Sequence, residues 1–280
     1  MNKFFWQLAI KKSQATSPGF TLIELLVTLL ITSALVGGSI GGLSIILQSN
    51  ADNEEETLQQ QNTNRALDFM AEEIKSARAI ADPTNISTIA PDFPRTCGSG
   101  GVECILALDL PEVPQAIVYF TEGASDPWED PRVIRRWGPN FCEDGTFSKV
   151  SALSSAASST DTVEINPTNC DFDASEVKFA TDDTIHTVTS VTPSTVTLEA
   201  PVTQNAGTPV GAVDEWSANV LLDQVARGGS HSCGTGTLYG TDGGFYACVE
   251  GGRKADLTIE LESSDGTYQL EGSAFARSNN

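Results

Sequence analysis

Apolar positions in this chain come first as an unbroken run, then at helical spacing, then in short bursts. From Phe20 to Leu47, twenty-eight residues carry one charge, Glu24. A helix of that length spans a bilayer core of ~30 Å. Within it, Gly37-Gly38-Ser39-Ile40-Gly41-Gly42 interrupts good helix formers, each Gly weakening a helix by up to ~1 kcal/mol against Ala. From Gln48 to Asn64 the pattern turns polar, without Gly or Pro, so the helix is expected to continue in solvent. Leu67, Met70, Ala71, Ile74, Ala77 and Ala81 then recur at i, i+3, i+4, i+7 spacing, which predicts one buried stripe. Asp82-Pro83 closes it, because proline disfavours helical geometry in the residue before it. The pattern therefore predicts one helix from Phe20 to about Ala81, roughly 90 Å at 1.5 Å per residue.

After Pro83 the period changes to that of strands. Runs rich in β-branched and aromatic residues recur at 105–110, 116–120, 133–137, 176–179, 184–191, 195–199, 218–222, 257–262 and 267–276, separated by Gly, Pro, Asp and Ser. The last two read as an antiparallel hairpin turning at Ser263-Ser264-Asp265-Gly266. Ser151–Thr160, low-complexity Ser and Ala, reads as an exposed loop. No internal repeat or clear second domain emerges, and 138–215 reads as an insertion or a widened sheet. The resulting class is α+β: a long N-terminal helix, membrane half plus amphipathic half, packed on an antiparallel β-sheet domain.

Charge adds a direction. The chain carries −21 overall, yet its first fifty residues hold three lysines and one Glu; the remaining 13 basic and 36 acidic residues leave the rest at −23. Lys3, Lys11 and Lys12 precede the apolar run, which places that end in the cytoplasm and the acidic body outside. Such a body repels nucleic acid and anionic headgroups. All six cysteines, Cys97, Cys104, Cys142, Cys170, Cys233 and Cys248, follow the helix. An even number in a translocated domain reads as disulfides. Six allow 15 pairings, of which neighbour pairing (97–104, 142–170, 233–248) would staple three local loops. Zinc is disfavoured, since there is no C-x-x-C and neither His186 nor His231 stands at ligand spacing from a cysteine cluster.

The junction before the apolar run is specific. Ser17-Pro18-Gly19-Phe20-Thr21-Leu22-Ile23-Glu24-Leu25-Leu26 sits directly behind the basic leader, and it resembles the prepilin signal of type IV pilins and type II secretion pseudopilins. A plain signal-anchor accounts for the lysines and the run, but not for the Gly-Phe junction or the Glu four residues beyond it. A cleaved secretory signal has a shorter apolar core, roughly 7–15 residues. The resemblance implies cleavage by a prepilin peptidase between Gly19 and Phe20, N-methylation of Phe20, and a pairing of Glu24 with a neighbouring subunit's N-terminal amine. A buried carboxylate and a buried ammonium offset each other's desolvation. Implied with it are a pilin-like lollipop and a division into leader (1–19), transmembrane and assembly helix (20–47), amphipathic continuation (48–82) and β-rich globular domain (83–280). Implied partners are the prepilin peptidase/methyltransferase, other major and minor pilins or pseudopilins, and an inner-membrane assembly platform. The expected location is the bacterial inner membrane, single-pass with the C-terminal domain periplasmic, and then a pilus or pseudopilus.

The segment Arg65–Arg78 also resembles PilW- and PulJ-type minor pilins, which show an arginine, an amphipathic turn, an acidic residue and a small-residue finish. The pair 117–120 and 132–137 looks like that family's hairpin, a V-x-Y strand followed by an L-x-R strand. The glycines at 37–42 permit either close helix approach or, as the resemblance favours, local melting on packing into a filament. The function these features imply is a minor pilin or pseudopilin that primes or caps a filament, with no enzymatic role.

Other chemistry is thinly represented. Gly228-Gly229-Ser230-His231-Ser232 lacks the strand–turn–helix setting of a nucleophile elbow. Gly234-x-Gly236 has the wrong onward spacing for a dinucleotide loop, and both read as a glycine-rich disulfide loop. Asp182-Asp183 and Asp214-Glu215 read as solvated turn acids. Calcium is the cofactor the acidic loops suggest, with Asp126, Glu129 and Asp130 as candidate ligands and Asp171 and Asp173 as a second acidic loop. Asn85-Ile86-Ser87 fits a glycosylation sequon. A filament-displayed adhesin or calcium-binding module is the alternative from a different functional class.

Overall fold

The computed structural model describes residues 21–111, 113–128, 130–142, 147–148, 150–166, 172, 174–182, 184–212, 216–241, 243–263 and 266–277. The chain divides into two compact units, residues 1–55 and 56–280. Helix α1, Leu22–Ser76, contributes to both. It is unbroken through the four glycines, and a Cβ built on Gly37, Gly38, Gly41 or Gly42 meets nothing within 4 Å. No contact within the chain therefore requires glycine there.

The helix ends five residues before the position its pattern predicts. Ala77 still donates to Glu73 and Ile74, but the Arg78 N–H turns to the carbonyl of Asp109 at 2.7 Å and the Ile80 N–H to that of Gly252 at 2.7 Å. Residues 79–81 thus form strand β1 (Ala79–Ala81), paired with β2 (Glu103–Asp109). Of the predicted stripe Leu67, Met70, Ile74 and Ala77 are buried and Ala71 and Ala81 half-buried, while Ile80, outside the pattern, is buried in the strand. The backbone changes hand because sheet partners outcompete a last helical turn. Asp82 then caps a short 3-10 turn, Pro83–Asn85, accepting from the Thr84 amide at 2.9 Å and from its hydroxyl at 2.8 Å. Helix α2, Ile86–Ile89, follows.

The main body is an antiparallel sheet of nine strands. Its remaining members are β3 (Ile117–Gly123), β4 (Arg132–Gly138), β11 (Ser217–Val225), β12 (Thr237–Tyr239), β13 (Phe245–Glu250), β14 (Lys254–Ser263) and β15 (Gly266–Phe275). Their order is β1-β2-β3-β4-β11-β14-β13-β12, with β15 also on β14. The β3–β4 hairpin forms in the register Tyr119↔Arg136, and β14–β15 pairs without slip from Lys254↔Phe275 to Ser263↔Gly266. Phe93 meets Phe120 and Trp137 edge-on, and Trp137 lies 4.8 Å from Trp216, centroid to centroid. These rings fill one end of a core that also takes in the buried stripe of α1.

Between β4 and β11 the chain builds a second sheet. Its strands are β5 (Val150–Ala152), β6 (Ala157–Glu164), β7 (Glu176–Phe179), β8 (Ile185–Thr192), β9 (Thr195–Gln204) and β10 (Pro209–Gly211), in the order β5-β10-β7-β8-β9-β6. This is an insertion and not a widened sheet: among the described residues no strand of one sheet pairs with a strand of the other, and Leu153, Val163, Ile165, Val177, Phe179 and Val196 form a separate apolar core. Chain entry and exit lie side by side, since Ser217 pairs with Gly138. The Ser/Ala stretch is correspondingly not a loop. Ala157 and Val163 of β6 point into the second core, while Ser158, Thr162 and Glu164 face solvent. Small polar residues suit that edge because only one of its faces is buried.

Candidate functional site

Two groups of residues carry the functional argument, one in each unit. The first begins at Thr21, whose Oγ1 accepts from the Glu24 amide at 3.4 Å while its carbonyl takes the first helical hydrogen bonds. Thr21-Leu22-Ile23-Glu24 is thus an N-cap followed three residues on by Glu, the spacing of a capping box. This start signal was legible in the sequence, and it places Glu24 in the first turn of α1. Gly19 and Phe20 lie outside the described residues. Beyond Glu24 the hydroxyls turn inward on the helix itself. Thr28 Oγ1 donates to the carbonyls of Glu24 and Leu25 at 2.9 Å, Thr32 to Thr28 at 2.7 Å, Ser33 to Leu30 at 2.9 Å and Ser39 to Leu35 at 2.7 Å. Leu22, Ile23, Leu25, Leu29, Leu35 and Ile45 meanwhile stand exposed. Apart from Glu24, the helix here satisfies its own hydroxyls and presents an apolar surface, which suits a lipid solvent. It is the one described helix long and apolar enough to cross a membrane.

The second group anchors the outer part of α1 to the sheet. Glu73 is 5 % exposed, Arg136 3 % and Tyr119 fully buried. Arg136 Nη2 donates to Glu73 Oε1 at 2.7 Å and Nε to Oε2 at 3.0 Å, a bidentate fork, while Nη1 donates to the carbonyl of Pro139 at 2.8 Å. The Tyr119 hydroxyl donates to Glu73 Oε2, the oxygen that also accepts from Arg136 Nε. Phe69 and Phe141 lie against the guanidinium, their centroids 5.8 and 5.1 Å from Cζ. Burial pushes the Tyr119 pKa well above the ordinary tyrosine value, and the Glu73 charge adds to it. Burial alone would lower that of Arg136, but the hydrogen bonds and charge of Glu73 hold it above the usual arginine value. The arrangement fixes the helix in register on the β3–β4 hairpin. Sequence reasoning treated Glu73 as one acid on an amphipathic turn; the missed signal is that it stands on the buried stripe, between Met70 and Ala77.

The disulfides clamp loops of the main sheet. Cys97–Cys104 and Cys233–Cys248 are bonded, each pair being sequence neighbours. Cys142 is also disulfide-bonded, and Cys170 lies outside the described residues. Gly236 is needed in the second bridged loop: its φ is +90°, and a Cβ there would lie 2.5 Å from the carbonyl oxygen of Val249. His231 stacks on Tyr246 with centroids 5.4 Å apart, and its Nε2 lies 3.4 Å from the Thr258 hydroxyl. The calcium candidates Asp126 and Asp130 flank the exposed Trp128, while Glu129, Asp171 and Asp173 lie outside the described residues. Among the described residues no three His, Cys, Asp or Glu side chains gather into a metal-binding group. Asp182 is held below its usual pKa against the opposing effect of burial, by hydrogen bonds from Thr184 and the contact with His186 at 2.9 Å.

Residues 16–40 match the prokaryotic N-terminal methylation motif. The chain carries the processing signal of type IV pilins and pseudopilins. With the apolar α1, that motif fits anchoring in the inner membrane. No curated protein and no solved structure matches the chain. The prepilin signal therefore rests on the first turns of α1, and the body beyond it is read from its own geometry.

Proposed function

We propose that the chain is a minor pilin or pseudopilin: a non-enzymatic subunit inserted in the inner membrane with its C-terminal body outside, cleaved between Gly19 and Phe20, N-methylated at Phe20, and taken into a filament through α1. The observation that carries this is the methylation motif at 16–40, set on a helix whose outward surface is apolar and whose one charge in that stretch is Glu24. Glu24 offers its carboxylate to the Phe20 amine of a neighbouring subunit, which removes the cost of leaving either charge unpaired among apolar helices. The elaborated body, with a second sheet inserted in the β4–β11 hairpin, suits a subunit that primes or caps a filament with other minor subunits better than one repeated along it. A secretion pseudopilus and a pilus are equally served by these features. So is display of an adhesive or calcium-dependent loop at a filament tip, with Trp128 and its flanking acids as the surface.

The test is the N-terminal sequence and mass of the protein from membranes and from sheared surface filaments, for the wild type and Glu24→Ala. An N-methylated Phe20 end in the filament fraction is expected, with Glu24→Ala processed normally but lost from that fraction. An intact Met1 end, or undiminished incorporation of Glu24→Ala, overturns the reading. Processed protein confined to membranes would move the assignment to a secretion pseudopilus or a priming complex.

A further inference from the structure

The two ends of the main sheet's strand path, β1 and β12, are three residues long. β15, by contrast, runs for ten residues along β14 and, among the described residues, pairs with no other strand. In an antiparallel pair every second residue turns its N–H and C=O away from the partner strand. The outer side of β15 therefore offers backbone donors and acceptors along its whole length.

Folded proteins commonly blunt such edges by shortness, bulges, proline or lysine. The eight-residue edge strand of the inserted sheet, β6, follows the rule, with two register shifts against β9 and with Asp161 and Glu164 along it. β15 has no proline and no basic residue, and it pairs with β14 from end to end without a slip. Glu271 is its single charge. This long, regular edge has none of the usual guards.

The two faces of β15 differ. Tyr268, Leu270, Gly272 and Ala274 turn towards the main core and α1. The Tyr268 hydroxyl donates to Gln59 Oε1 at 3.2 Å, and a Cβ on Gly272 would lie 3.5 Å from Leu67. Thr267, Gln269, Glu271, Ser273 and Phe275 are exposed. The register sets Glu262 opposite Thr267 and Glu260 opposite Gln269, so Glu260, Glu262 and Glu271 share this face beside the open edge. Lys254, opposite Phe275 on the last rung, is taken up by Asp256 at 2.7 Å, and Arg253 and Arg277 lie beyond that rung in sequence.

We propose that the free edge of β15 takes up an extended strand from a different protein, one that alternates basic with apolar side chains. Backbone pairing supplies the affinity, the acidic face selects the basic side chains, and the apolar ones continue the side that packs on α1. A second copy of this chain fits less well, since it would set another strongly acidic body against the same carboxylates. The pairing does not require the chain to be a filament subunit.

The test uses the full chain in lipid nanodiscs and a fluorescein-labelled peptide that alternates lysine with valine. The wild type should bind it, and hydrogen exchange should show new protection of β15 amides. E271K should weaken binding about fivefold at low salt and flatten its salt dependence. The same peptide N-methylated at every residue keeps its charge but cannot pair, and it should not bind. Equal binding of the N-methylated peptide, or binding without protection in β15, overturns the proposal, because the acidic surface alone then suffices. Absence of binding overturns it too. So does β15 protection that rises with protein concentration and without peptide, which would make a second copy the occupant.

Discussion

Glu73, Tyr119 and Arg136 bury three polar side chains in contact with one another, and the consequences of breaking the set are asymmetric. Arg136→Ala leaves the Glu73 carboxylate buried without its countercharge, which should cost about 3–5 kcal/mol of stability. Glu73→Leu with Arg136→Met removes both charges at similar volume and should recover most of that loss. Denaturant titration of the three proteins checks it; a double variant no better than the single one would show that the fork contributes more than mutual neutralisation. Tyr119 adds a pH dependence. Its pKa is raised in the folded state, so its neutral form is favoured there. The associated stability is fully present below the ordinary tyrosine pKa of about 10 and is lost as pH rises through the folded-state value. Ultraviolet titration should therefore show tyrosine ionisation coupled to unfolding, and Tyr119→Phe should diminish that coupled phase.

At the level of elements, the sequence located most strands but not all. Runs such as 117–120 and 132–137 combine β-branched and aromatic residues with clear boundaries, and they lie centrally in the main sheet. β1, β5, β10 and β12 are three residues each, too short to show a period, and they exist because a neighbour supplies hydrogen bonds. β13, Phe245–Glu250, is buried on both faces except at its end, so it lacks alternation and gives no strand signal of its own. The inserted sheet follows the same logic at larger scale. With its ends joined across Gly138 and Ser217 and its own apolar core, it should be separable. Replacing residues 142–213 by a tight turn should leave a cooperatively folding remainder, measured by thermal unfolding and by protection of the β3–β4 amides in hydrogen exchange. Loss of that protection would mean that the second sheet is needed to hold the first.

Across the whole molecule, function is divided between a segment whose surface is apolar and a body whose surface is acidic. The first was readable because lipid is a uniform solvent: composition and length suffice to predict a helix there, and the Gly19-Phe20 junction with Glu24 sets its class. The body met no such simplifying rule. Its disulfides and buried fork join residues 7 to 63 positions apart, and none of those spacings repeats a recognisable motif.

The membrane-length helix, its polar extension, the α+β class and the prepilin signal follow from local pattern, because each depends on neighbours within a few turns of one helix or within one strand. Tertiary structure alone decided where α1 stops, since residues 79–81 are helical by pattern but take their hydrogen bonds from Asp109 and Gly252. It also decided that 138–215 folds as a separate sheet and that Glu73 faces Arg136. Those outcomes depend on which distant backbone groups and charges are brought within hydrogen-bonding and Coulombic reach, and local pattern carries no information about that distance.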